Sequence, residues 1–186
     1  MLKKWLPLLL CCVLLLGGCG GKDARSAADP DAMPEGYIPE GIKSILTQLV
    51  NANDYFVRDA FVQNHLPTDA NDAVTQEGEA YERVAAGRVT SYEALESLLR
   101  ATYQSTVAEN LLAEGVYAEI DGKLYCCMPR APKTAGGGEA EAFTIENGSI
   151  GENEITFDVV YAGGTRLTMT AKNSDGAWRL AAFYEF

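Results

Sequence analysis

Apolar and polar positions change their period near the middle of the chain. Over residues 40–57, Ile42, Ile45, Leu46, Leu49, Val50 and Phe56 recur at helical spacing. That predicts an amphipathic helix, with Pro39 at its start where a missing N–H costs nothing. Thr90-Ser91-Tyr92-Glu93 has the form of a capping box, with Leu95, Leu98 and Leu99 on one side behind it. Residues 106–109 form a second such box, followed by Leu111 and Leu112 and stopped by Gly115. Two short helices meeting near Tyr103 fit this better than one long helix. From residue 115 the period becomes two. Val116, Ala118 and Ile120 alternate with polar neighbours, Asp121-Gly122 interrupts, and the run resumes over 123–128. An Asp-Gly pair between alternating segments predicts a hairpin, because a type I′ turn needs positive φ at both central positions.

The C-terminal third continues as strands. Ile155, Phe157, Val159 and Tyr161 alternate, as do Leu167, Met169 and Ala171, and then Trp178, Leu180, Ala182 and Tyr184. Ala162-Gly163-Gly164 and Asn173-Ser174-Asp175-Gly176 punctuate them. Residues 141–145 supply one more strand. The pattern as a whole predicts an α+β domain, its N-terminal helices packed on a C-terminal antiparallel meander sheet of five or six strands. Trp178 is expected in the core. Residues 66–82 read as an acidic loop, with a short strand at 78–84, and the Pro/Gly-rich residues 129–138 as a flexible connection.

The first residues do not belong to this pattern. Lys3 and Lys4 precede an apolar run over 6–16, which is too short to span a bilayer, for which ~20 residues are needed. Leu16-Gly17-Gly18-Cys19 has the form of a bacterial lipobox, whose cysteine is diacylated and becomes the mature N-terminus. The expected organisation is a lipoprotein signal peptide at 1–18, a flexible tether at 19–38 and a single domain at 39–186, held at the bacterial cell surface through Cys19.

Charge narrows the partners. The formal net charge is −11, more negative by two once Lys3 and Lys4 are removed. Such acidity disfavours nucleic acid, anionic lipid and wall polymers, and suits a basic partner or simple solubility. Two segments lack any Lys or Arg. One holds Asp69, Asp72, Glu77 and Glu79, and the other Glu139, Glu141, Glu146, Glu152, Glu154 and Asp158. With no counter-charge close in sequence, Asp69, Asp72, Glu77, Glu79, Glu139 and Glu141 are the candidate partner-binding residues.

Catalytic signals are sparse. After processing only Cys126 and Cys127 remain, adjacent on a strand and therefore facing opposite ways, so free thiols are expected. His65 is the only histidine, and a surface or capping role is expected for it. The acidic loop lacks calcium-loop spacing, and zinc would want more His and Cys. No catalytic residue, metal or cofactor is expected, and the chain reads as a non-enzyme.

The order of parts nevertheless has a counterpart. Tyr81-Glu82-Arg83-Val84, the Thr-Ser-Tyr-Glu-Ala-Leu-Glu-Ser-Leu-Leu-Arg run at 90–100 and Glu109-Asn110-Leu111-Leu112 come first. The 117–125 segment Tyr-Ala-Glu-Ile-Asp-Gly-Lys-Leu-Tyr and the Asp175-Gly176-Ala177-Trp178-Arg179-Leu180 ending follow. Over roughly residues 40–186 the chain resembles the IseA family of bacterial cell-wall DL-endopeptidase inhibitors. The resemblance implies a non-enzymatic protein that blocks NlpC-type cysteine peptidases acting on the peptide stems of peptidoglycan. The paired cysteines and the 129–138 loop depart from the family's pattern. The alternative is a helix-and-curved-sheet cone, like the nuclear-transport-factor or cystatin-like families, binding a small ligand.

Overall fold

The computed structural model describes residues 36–85, 87–136 and 140–186. The signal peptide, Cys19 and most of the expected tether lie outside the described residues, as does Glu139. Helix α1 (Glu40–Tyr55) leads without a break into a π-helical turn, Phe56–Phe61. A hairpin of β1 (Thr68–Gln76) and β2 (Glu79–Val84) follows, then α2 (Tyr92–Thr102) and α3 (Ser105–Ala113). The chain continues as β3 (Tyr117–Ile120) and β4 (Lys123–Cys127), then β5 (Phe143–Ile150), β6 (Glu154–Tyr161), β7 (Arg166–Ser174) and β8 (Ala177–Leu180).

The strands form two antiparallel four-stranded sheets rather than one meander of five or six. The first has the order β1-β2-β4-β3, and the second the sequential order β5-β6-β7-β8. The β3–β4 hairpin therefore joins the N-terminal acidic segment and not the C-terminal strands. Asp121 (φ 49) and Gly122 (φ 73) make its turn in the left-handed region, as the Asp-Gly pair predicts. The expected acidic loop is the correction: residues 68–76 are a strand. It carries too little apolar alternation to register as one, and its turn is made by Glu77 (φ 53) and Gly78 (φ 84), not by an Asn-Gly or Asp-Gly pair.

The capping boxes also shift. Ser91, one residue later than expected, caps α2 by accepting from Ala94 N at 3.1 Å. Helix α3 begins at Ser105 without a side-chain cap, so Thr106 lies inside it. Gly115 (φ 68) does terminate it. Strand β8 ends at Leu180, and Ala182 and Tyr184 lie beyond it. Ile38 is buried in the core and Gly148 N donates to Gly36 O, so the fold takes hold ahead of the expected boundary at 39.

One continuous core joins the helices to both sheets, with Leu46, Val50, Phe56, Leu95, Leu99, Tyr103, Leu124, Phe157 and Met169 fully buried. Trp178 packs only partly buried against that core. The π-turn is locked from several sides, as it must be, because its carbonyls lose the regular helical ladder. Tyr117 Oη donates to Ala60 O at 2.6 Å and accepts from Leu66 N, Asn64 Nδ2 donates to Arg58 O, and Gln63 N donates to Val57 O. Just before it, buried Asn53 accepts from Tyr103 Oη and Tyr184 N and donates to Tyr184 O. These bonds fix the turn between the two sheets.

Candidate partner-binding hairpin and the clefts beside the π-turn

Strands β2 and β4 pair Arg83 with Tyr125 and Tyr81 with Cys127, which places these four on the face opposite Glu82, Cys126 and Tyr117. Tyr125 and Cys127 are buried on that outer face although they stand apart from the main core. Charged side chains from the acidic hairpin surround them. Asp72 accepts from Tyr125 Oη at 3.2 Å and pairs with Arg83 at 3.0 Å. Glu79 takes both Nε and Nη2 of Arg130, at 3.1 and 2.6 Å, and Tyr81 Oη at 3.3 Å. This two-pronged bond from Arg130 holds the Glu79 carboxyl below its ordinary range. Asp69 accepts from the backbone and side chain of Asn71, while Glu77 sits exposed at the turn.

The second acidic segment is likewise paired. Glu141 meets Arg58 at 3.3 Å and accepts from Gly163 N. Arg166 bridges Glu146 and Asp158, at 3.1 and 2.9 Å, and Lys172 meets Glu154. Asp158, bonded to Thr168, Asn147 and Arg166, is also held below its ordinary range. The uncompensated field read from the sequence is thus corrected, because folding brings cations remote in sequence onto both segments. Asp69, Asp72, Glu77 and Glu79 share one hairpin, and Glu141 belongs to the approach to β5. Glu139 lies outside the described residues.

The nucleophile candidates are sequestered. Cys126 and Cys127 are free and buried, and burial pushes the Cys126 thiol up to about 12. His65 is not at the surface: it is 4% exposed, with Nδ1 2.7 Å from the Leu66 carbonyl and its backbone bonded to Thr134 and Gly136. Among the described residues no group of three or more His, Cys, Asp or Glu is arranged to hold a metal ion, and no helix is long and apolar enough to cross a membrane.

Two neighbouring clefts flank Tyr55 and Arg88. One, of about 180 Å3, is lined chiefly by Tyr55, Leu66, Pro67, Val84, Arg88 and Val89. The other, of about 220 Å3, is lined by Asn51, Asp54, Tyr55, Arg58, Asp59 and Arg88 among others. Sequence reading missed them because an aromatic and charged stretch at 54–61 in a helix looks like core and solvated face. No family model matches the chain, and no curated protein matches it.

Proposed function

We propose that this chain is a lipid-anchored, extracytoplasmic and non-catalytic protein that binds and inhibits a peptidoglycan DL-endopeptidase of the NlpC type, in the manner of the IseA inhibitors. The observation that carries the reading is the β1–β2 hairpin, whose flank is exposed from Ala70 to Gly78 at all but Asp72 and Val74. Its Asp72 and Glu79 carboxylates are held in place by Arg83 and Arg130. A ladder-paired arm with fixed charges loses little conformational entropy when it occupies another protein's cleft. Its carboxylates suit a basic rim, and they act by occlusion without supplying a reacting group. The protonated Cys126 thiol and the internally bonded His65 ring accord with a non-catalytic role.

The test is inhibition of a purified endopeptidase from the producing bacterium. Joint neutralisation of Asp69, Asp72, Glu77 and Glu79 is expected to weaken it, and inhibition unchanged in that variant excludes an electrostatic role for the hairpin. Neutralising Glu139 and Glu141 tests the other acidic segment separately. Anchoring has its own test, since Cys19→Ala is expected to leave the membrane fraction. The reading as a small-ligand-binding lipoprotein draws on the clefts beside the π-turn instead, and the two are compatible.

A further inference from the structure

Two oxygens beside the π-turn are buried without a hydrogen-bond partner: Oδ2 of Asp54 and the hydroxyl of Tyr55. Asp54 is 3% exposed, and its other oxygen is occupied by Tyr161 Oη at 2.6 Å. A carboxylate oxygen withdrawn from water without a donor is costly, and such groups are rare in folded proteins. An amide side chain would also accept from Tyr161, so that bond alone does not account for a carboxyl here.

Asp54 and Tyr55 both line the larger of the two clefts, and Tyr55, Asp59 and Arg88 are common to both. The Arg88 guanidinium lies 5.0 Å from the centre of the Tyr55 ring, at an exposed position on the boundary between the two chambers. The polar chamber is lined by two carboxylates, Asp54 and Asp59, and two guanidiniums, Arg58 and Arg88, of which Arg58 is already paired with Glu141. A lining that presents both signs of charge side by side matches a ligand that carries one charge of each sign better than a net anion or a net cation. The neighbouring chamber offers Leu66, Pro67, Val84 and Val89 to an apolar group. Each chamber is smaller than the ~300–1,000 Å3 of ordinary small-molecule sites, which suits fragments the size of an amino acid.

We propose that the paired clefts bind a zwitterionic amino acid or dipeptide with an aliphatic side chain. The ammonium donates to Asp54 Oδ2, the carboxylate takes the planar fork of Arg88, and the aliphatic group fills the Leu66–Val89 chamber. This site stands apart from endopeptidase inhibition, and neither depends on the other.

The test is isothermal titration calorimetry of the full chain in detergent with L-leucine, L-alanyl-L-leucine and N-acetyl-leucine amide, which lacks both charges. Leucine or the dipeptide is expected to bind and the neutral analogue to give no heat. Arg88→Ala and Asp54→Asn are each expected to weaken binding at least tenfold. Because Arg88 is exposed, its variant decides the matter even if Asp54→Asn misfolds. Absence of heat from both leucine and the dipeptide overturns the proposal. So does a neutral analogue that binds as tightly, or an Arg88→Ala variant that binds like wild type.

Discussion

Asp54 bears a cost that the buried Asn53 beside it avoids. Burial pushes its carboxyl above the usual carboxylate range, against the Tyr161 hydrogen bond and the charge of Arg58, and Glu141 adds to the rise. The folded state therefore holds this proton more tightly than the unfolded chain, whose carboxyl titrates near ~3.9. Just above that value the unfolded chain has released more of this proton than the folded chain, so this group's contribution to stability falls as pH rises. Asp54→Asn keeps an acceptor for Tyr161 and removes the titration. Urea midpoints of the two proteins are expected to diverge in the variant's favour between acid and neutral pH, and a constant difference across that range contradicts the assignment. Gly136 makes a second prediction at this scale. A Cβ there meets Asp59 O at 2.9 Å and His65 O at 3.1 Å, both backbone atoms that cannot swing away. Gly136→Ala is expected to cost about 1–3 kcal/mol by overpacking, read from urea unfolding.

Among the elements, α1 and its π-turn carry the packing that matters most. Phe56 is fully buried and touches the rings of Tyr55, Phe61 and Tyr103. Phe56→Ala is expected to cost about 3–5 kcal/mol, and Trp178→Ala clearly less, since Trp178 is only partly buried against the core. Denaturant unfolding of both variants checks the order, and a larger loss at Trp178 contradicts the packing described. The difference also marks what could be read from the chain alone. Helix α1, the Asp121-Gly122 hairpin and strands β6 and β7 were legible because one face of each is buried and a local signal ends it. Strand β1 was not, because its pairing with β2 leaves most of its side chains in water and no apolar face writes itself into the sequence. The division into two sheets was equally hidden, since β4 has the same alternation whether it pairs with β2 or with a later strand. Of the candidate site, the acidic residues were visible, but their arginine partners were not. The clefts were invisible for the same reason: only the tertiary fold brings Asp54 and Val84 to adjoining clefts on either side of Arg88.

At the scale of the whole molecule, ion pairs such as Asp72–Arg83, Glu79–Arg130 and Glu141–Arg58 localise charge without cancelling a net −11. Under the proposed function, attraction to a basic partner is expected to weaken with salt, with the paired carboxylates at the contact. The two buried thiols take no part, so alkylation of Cys126 and Cys127 is expected only after denaturation; labelling of the native protein contradicts their burial. The proposed mode of action is occlusion of a wall endopeptidase by the acidic hairpin. Its most direct measurement is the activity of a purified DL-endopeptidase of the producing bacterium against increasing full-length protein, at low and at physiological salt. Saturable inhibition that is stronger at low salt, and weakened when Asp69, Asp72, Glu77 and Glu79 are neutralised together, is the predicted result. Endopeptidases of that bacterium that all remain fully active with the wild-type protein in excess would contradict it.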